Sequence, residues 1–245
     1  MELKKYFSYT NAGPFHEVNE DAVGVDLKSK IYYLLDGFGG QGVGDRACEL
    51  VIENFLRFYT KTSRDPDSTM PFFYSPKYLL EGNALVNALR LAHKELIEKN
   101  QKKEMGQRGG VAGIFAVESE NILSYAYVGN CQAYLYRRGN LRPLNLPDVL
   151  SNVAQDDFNS HLYSAPMSAF GLFDELHLQV SEVKIMDEDC LIFLSDGVYS
   201  YLSPEEIIHV LGDKSKNYQE LGKQLITLAN SRGNQDNQSL LILEY

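Results

Sequence analysis

The chain has 245 residues, 44% of them hydrophobic and 23% charged. Its 23 Lys and Arg stand against 33 Asp and Glu, a formal net charge of −10. Disorder is excluded at this apolar content. The acidic balance argues against nucleic acid or an anionic membrane as partner, because both need a basic footprint. The length predicts one domain, residues 1–245, burying about 70–75% of the surface its unfolded form exposes.

No apolar run approaches the roughly 18 residues of a membrane-spanning helix. The start, Met1-Glu2-Leu3-Lys4-Lys5, leads into Tyr and Ser rather than an apolar signal core. Cys48, Cys131 and Cys190 are odd in number and widely spaced. That pattern fits buried thiols in a reducing compartment, not a disulfide framework or zinc site. A soluble, cytoplasmic protein is expected.

The elements follow in order. Tyr6–Thr10, Ala22–Asp26 and Ile31–Leu35 read as strands. After a glycine cluster, Ala47, Leu50, Val51, Phe55 and Phe58 recur at helical spacing. A polar loop from Ser63 to Ser75 leads to a second helix, about Lys77 to Asn100. Val111–Glu118, Ile122–Val128, Gln132–Arg137 and Asn140–Leu144 then read as strands. Their connections, such as Gly129-Asn130 and Arg138-Gly139, are long enough for hairpins but not crossovers, so this sheet is antiparallel.

Residues 147–171 are irregular and polar, the composition of a functional flap or long surface loop. Strands are predicted at His177–Lys184, Cys190–Ser195 and Leu240–Leu243. Between the last two lie a helix opened by the capping box Ser203-Pro204-Glu205-Glu206 and another over Tyr218–Ser231. Several strands are apolar on both faces, so their sheet needs two covering layers. Two antiparallel sheets face to face, with helices outside, satisfy both this and the hairpins.

Three aspartates sit where strands end. Asp36 follows Ile31–Leu35 and precedes Gly37-Phe38-Gly39-Gly40. Asp196 follows Leu191–Ser195 and precedes Gly197, and Asp236-Asn237 precedes the final strand. Carboxylates gathered at buried strand ends repel unless a cation lies among them, and hard oxygen ligands suit Mg²⁺ or Mn²⁺. Singly, each Asp-Gly pair reads equally as a turn. The run His16-Glu17-Val18-Asn19-Glu20-Asp21 adds two acids, and alone is a solvated turn.

Asn19-Glu20-Asp21, Asp36-Gly37-Phe38-Gly39-Gly40, Val128-Gly129-Asn130-Cys131-Gln132-Ala133-Tyr134, Ser195-Asp196-Gly197 and Asp236-Asn237 occur in this order. Together they resemble the metal-dependent, type-2C Ser/Thr protein phosphatases in their compact bacterial form. The resemblance implies an α+β fold, a four-layer α/β/β/α sandwich of two mainly antiparallel sheets, with residues 147–171 as the variable flap. It implies two Mn²⁺ or Mg²⁺ ions, Asp36 bridging both, with Asp196 and Asp236 completing one site. Glu20 and the Gly37 carbonyl would hold the other, partly through water supported by Asp21. The pair would activate a water to attack phosphorus in line and neutralise the phosphoryl oxygens. The implied partner is a phosphorylated protein substrate, such as a kinase-regulated signalling protein.

The chain departs from the family pattern at His16, at Asn130 and in the strand opening Gly109-Gly110-Val111-Ala112, where the family has Gly-Thr-Thr. His16 stands where the family has an Arg that grips the phosphate, and a neutral imidazole offers one donor where guanidinium offers a cationic fork. Asn130 replaces an Asp associated with a third metal, so a third site is expected to be weak or absent. The expectation is a slow phosphatase with Asp36, Asp196 and His16 as its catalytic residues. If His16 must be protonated, substrate binds better at low pH. The alternative is a phosphatase-fold binding or regulatory module without turnover.

Two other motifs are set aside. Gly37-Phe38-Gly39-Gly40-Gln41-Gly42 matches a dinucleotide fingerprint, but a second helix rather than a parallel strand follows its helix. Cys131 and Arg137 have the spacing of cysteine-dependent phosphatases, but the residues between them read as a strand with large side chains.

Overall fold

The computed structural model describes residues 2–40, 42–63, 69–150 and 164–245. Two five-stranded antiparallel sheets form the centre. One runs β1 (Lys5–Asn11), β10 (Gln238–Glu244), β9 (Cys190–Leu194), β6 (Gln132–Arg137), β7 (Asn140–Pro143). The other runs β2 (Ala22–Asp26), β3 (Ile31–Phe38), β4 (Gly110–Ser119), β5 (Ile122–Val128), β8 (Gln179–Lys184). Helices α1 (Val43–Thr62) and α2 (Leu80–Asn100) cover the second sheet. Helices α3 (Asp196–Tyr199), α4 (Pro204–Leu211) and α5 (Tyr218–Ser231) cover the first. The expected four layers are present.

Strand alternation explains the layering. Along β4, Phe115 and Val117 pack under α1 and α2, while Ile114 and Ala116 face the other sheet. Along β10, Leu241 and Leu243 face the opposite sheet, while Leu240 and Ile242 face α4 and α5. A two-residue period in an apolar run thus feeds two separate cores.

The helix boundaries have local causes. Both α4 and α5 carry complete capping boxes, Ser203 with Glu206 and Asn217 with Glu220. Helix α2 starts at Leu80, later than the Lys77 expected from periodicity. The Leu79 N–H is held by the Glu182 carboxylate (2.9 Å) and the Ser75 N–H by the Asn83 side chain (2.7 Å). Those bonds fix a turn where the pattern read helix. The predicted flap is described only at its two ends, since residues 151–163 lie outside the described residues.

Phe115 is fully buried, its ring 4.6 Å from that of Phe55 and 6.3 Å from that of Phe170. Truncation leaves a cavity between rigid layers. Phe115→Ala is expected to lose about 3–5 kcal/mol of stability, read by urea unfolding. A loss below about 1 kcal/mol would mean the helix–sheet layer collapses freely around the gap.

Candidate metal centre

The two sheets meet at one rim, and the motif residues come to it from five separate segments. Asp36 and Gly37 lie inside β3, not beyond its end, because β3 continues to pair with β4 as far as Phe38 opposite Gly110. Asp196 is the first residue of α3, directly after β9. Asp236 and Asn237 precede β10. His16 and Glu20 belong to the loop after β1. Asn130 sits in the turn from β5 to β6, where the chain passes from one sheet to the other. His16, Glu20, Asp36, Gly37, Asp196 and Asp236 all line one cavity of about 490 Å³, and Asn130 lines it too. Asp21 is buried behind it.

Close backbone approach makes this possible. A Cβ on Gly37 would lie 2.4 Å from the Glu20 carbonyl and 2.6 Å from that of Gly44. Only glycine lets β3, the Glu20 loop and the start of α1 converge there. Gly129 carries φ +79°, and a Cβ there would also strike the Ala112 side chain at 2.6 Å. The turn that presents Asn130 therefore needs glycine on both counts.

The carboxylates are strongly perturbed. Burial, reinforced by the charges of Asp196, Asp21 and Asp236, pushes the Asp36 carboxyl well up. Burial pushes Asp21 up to about 8, with Asp196 and Asp236 adding repulsion and the Ser239 and Ser195 hydroxyls opposing it. Asp196 is pushed up to about 6, by burial first and Asp236 second. Each shift favours the neutral form.

Asn130 answers part of this repulsion. Its Nδ2 donates to Asp36 Oδ2 at 2.9 Å and to Asp196 Oδ2 at 3.0 Å. The two carboxylates fix which way the amide points, since its oxygen would repel both. Tyr199 Oη in turn donates to the Asn130 carbonyl at 2.6 Å. Sequence reading noted Asn130 only as a missing charge; its role as a donor between two acids needed the fold.

Glu20 is engaged elsewhere. Its carboxylate accepts from the N–H groups of Gly40 (3.2 Å), Gly42 (2.8 Å) and Val43 (3.1 Å), capping the glycine turn and the start of α1. Asp236 faces outward, 3.8 Å from His16 Nε2, with both side chains about half exposed. Asn237 ties down the loop that carries His16: its Oδ1 accepts from Glu20 N (2.8 Å), and its Nδ2 donates to Ala12 O (3.0 Å) and Val18 O (3.1 Å). That strap role was not legible from the Asp-Asn dipeptide.

Among the described residues, no three His, Cys, Asp or Glu side chains are gathered closely enough to hold an ion as they stand. The donor chemistry nonetheless fits a hard divalent cation. Carboxylate oxygens and a backbone carbonyl line the cavity. Among the described residues, two buried oxygens beside it, Asp21 Oδ2 and Asn130 Oδ1, have no hydrogen-bond partner. Buried polar atoms are normally satisfied, and a missing ion or water is a standard reason when they are not.

The whole chain has relatives. A serine/threonine phosphatase, stp, of Listeria welshimeri is 25% identical over 254 residues, spanning 96% of this chain and 93% of that protein. A Streptococcus pyogenes protein named for the 2C type is 24% identical over 250 residues, with 96% and 94% covered. This chain is a homologue of the PP2C-type serine/threonine phosphatases. No family model matches it. The fold is that of the Mycobacterium tuberculosis phosphatase PstP, with TM-score 0.77 and 22% identity over 98% of this chain and 97% of that one. The PstP catalytic domain solved in complex with two manganese ions gives TM-score 0.75 and 21% identity, with 98% and 97% covered.

The Asn130 amide is expected to stabilise the metal-free protein. In chelator, Asn130→Leu should lose about 1–3 kcal/mol in urea unfolding, because two buried acceptors lose their donor. The loss should shrink in an Asp36→Asn background, where one of the two charges is gone. An equal loss in both backgrounds would mean the amide acts through packing alone.

Proposed function

We propose that this chain is a metal-dependent phosphatase acting on phosphoserine and phosphothreonine in proteins. The observation that carries this reading is the convergence of Asp36, Asp196 and Asp236, from two facing sheets, on one cavity beside His16. Homology to serine/threonine phosphatases over nearly the whole chain supports it. In this reading Asp36, Asp196 and Asp236 would hold one cation and Asp36, the Gly37 carbonyl and Glu20 a second, with Asp21 behind them. Bound there, Mn²⁺ or Mg²⁺ supplies Lewis acidity, acidifying water and neutralising phosphoryl charge.

The protein's own residues do the rest. Glu20, held by three backbone N–H groups, keeps the turn after β3 in place, and with it the Gly37 carbonyl. Asn237 fixes the His16 loop over the cavity, so His16 offers its ring N–H to a phosphoryl oxygen at the rim. Asp236 Oδ1 lies 3.8 Å from His16 Nε2 at the same rim. The cavity opens to solvent past His16 and Asp236, both about half exposed. In the hydrolysis a water oxygen bonds to phosphorus in line as the P–O bond to the substrate side chain breaks, and a proton from that water ends on the leaving oxygen. A cysteine nucleophile is disfavoured: Cys131 is fully buried, and burial pushes its thiol well up, away from the thiolate. The matching substrate is a phosphoprotein maintained by a protein kinase. A cytoplasmic location is consistent with three buried free cysteines.

One observation favours a second reading. The Asn130 amide already bridges Asp36 and Asp196, and no three acids close on a point among the described residues. A phosphatase-fold module with weak or no turnover would have such a site.

Hydrolysis of a chromogenic aryl phosphate decides between them. Turnover is expected with Mn²⁺ and not with chelator, and Asp36→Asn or Asp196→Asn should each lower kcat about 100-fold or more. Manganese binding by calorimetry without turnover, on aryl phosphate and phosphopeptides alike, would establish the module instead.

His16→Arg tests the phosphate grip. The variant should lower KM relative to wild type, and by more at pH 8.5 than at pH 6, because guanidinium stays charged where imidazole does not. An unchanged KM ratio across that range would remove His16 from phosphate binding.

A further inference from the structure

The cavity that holds Asp36 does not end at His16. A second and larger cavity, about 980 Å³, shares His16, Ser164, Asp196 and Asp236 with it. The two adjoin at these shared residues, with the acids between them. The larger cavity's volume lies at the upper end of small-molecule sites, well beyond what a phosphate needs.

The larger arm carries exposed apolar and aromatic side chains among polar ones. Phe15 and Leu146 stand 67% and 70% exposed, on opposite chain segments. Tyr134, Tyr199, Tyr201 and Leu202 line it as well. Phe15 directly precedes His16, and Asn237 straps the loop that carries both. The exposed phenyl ring is therefore held a fixed step from the phosphate position. Adjacent Cα atoms are about 3.8 Å apart. A chain whose phosphorylated residue faces His16 thus passes Phe15 within a few residues.

The charge pattern narrows the occupant. Arg232 lines the arm, but its guanidinium is bound to both Glu206 oxygens and to the Tyr201 carbonyl (2.7 Å). That cation is already satisfied and does not recruit an acidic residue. The net charge of −10 disfavours one as well. Apolar surface beside a polar rim is the usual signature of a recognition site.

We propose that the larger arm receives the substrate chain next to the phosphorylated residue and selects an apolar side chain one to three positions away. Phe15 and Leu146 are the specificity-determining residues. The proposal rests on the phosphatase reading and names its substrate class.

The experiment uses the full chain with Mn²⁺ and phosphoserine peptides of one length. Leu, Ala, Lys or Asp is placed in turn at each of the three positions on either side. An aryl phosphate, too small to enter the larger arm, serves as reference. Leu at one or more positions should give kcat/KM about tenfold above Asp, through KM. Phe15→Ser and Leu146→Ser should each lower the ratio of Leu-peptide to aryl-phosphate kcat/KM several-fold. Both side chains are exposed, and thermal melting confirms that the variants fold. Equal turnover of all peptides, a preference for Asp or Lys, or a Leu preference that survives both variants would overturn the larger arm's role. No turnover of the aryl phosphate itself would instead overturn the phosphatase reading, and the proposal with it.

Discussion

The structure turns on negative charge held where solvent is scarce. Asp21 and Asp196 are buried and Asp36 is half-buried at the rim where the two sheets meet, with Asp236 beside them. Buried charge is costly, and like charges close together raise the cost further. A protein has three remedies: protons, donors or cations. Two are visible in the chain itself. Burial and repulsion push the carboxyls toward their neutral forms, and the Asn130 amide donates to two of them. The third remedy is the one a phosphatase exploits.

The sandwich brings these acids together from distant parts of the sequence. Asp36 arrives on β3 of one sheet, Asp196 and Asp236 beside β9 and β10 of the other. Only face-to-face packing of the two inner faces, Ile114 and Ala116 against Phe193 and Leu241 among others, sets their mutual position. Core and site are linked in this way. The apolar layer between the sheets supplies the energy that keeps mutually repelling groups in place. The glycines at the rim, Gly37 above all, let backbone segments approach where a Cβ would prevent it.

The sequence made the layers legible because strands apolar on both faces admit few arrangements. Ser119-Glu120-Asn121 and Arg138-Gly139 are the expected hairpins, but Gly129-Asn130, read as a third, instead carries the chain from β5 of one sheet to β6 of the other, so the four middle strands are split between two sheets. The site residues were named from motif order, and the fold draws them to a single cavity. What stayed hidden was relational. Asp36 read as a strand end because Asp-Gly resembles a turn, yet β3 runs on because Gly37 and Phe38 find partners in Val111 and Gly110. The single-turn helix α3 was missed because four residues carry no period. Glu20 as a cap for α1, and Asn237 as a strap across the His16 loop, depend on backbone groups that become neighbours only after folding.

Asn130 shows how one atom changes the balance at such a site. A carboxylate in that turn would add another negative charge between Asp36 and Asp196, and the cluster would depend more heavily on cations. The amide does the reverse. It presents hydrogens to both acids, at 2.9 and 3.0 Å, and holds them apart without an ion. Charge-assisted hydrogen bonds of this kind are roughly twice as strong as neutral ones. A cation entering the cavity must therefore share these oxygens with the amide or displace it. It also relieves less repulsion than it would beside an aspartate, so the electrostatic gain on binding is smaller. Asn130 Oδ1, the other end of the same amide, is buried with no hydrogen-bond partner among the described residues. The amide thus offsets, without a cation, part of the repulsion between Asp36 and Asp196 that their burial would otherwise leave unrelieved.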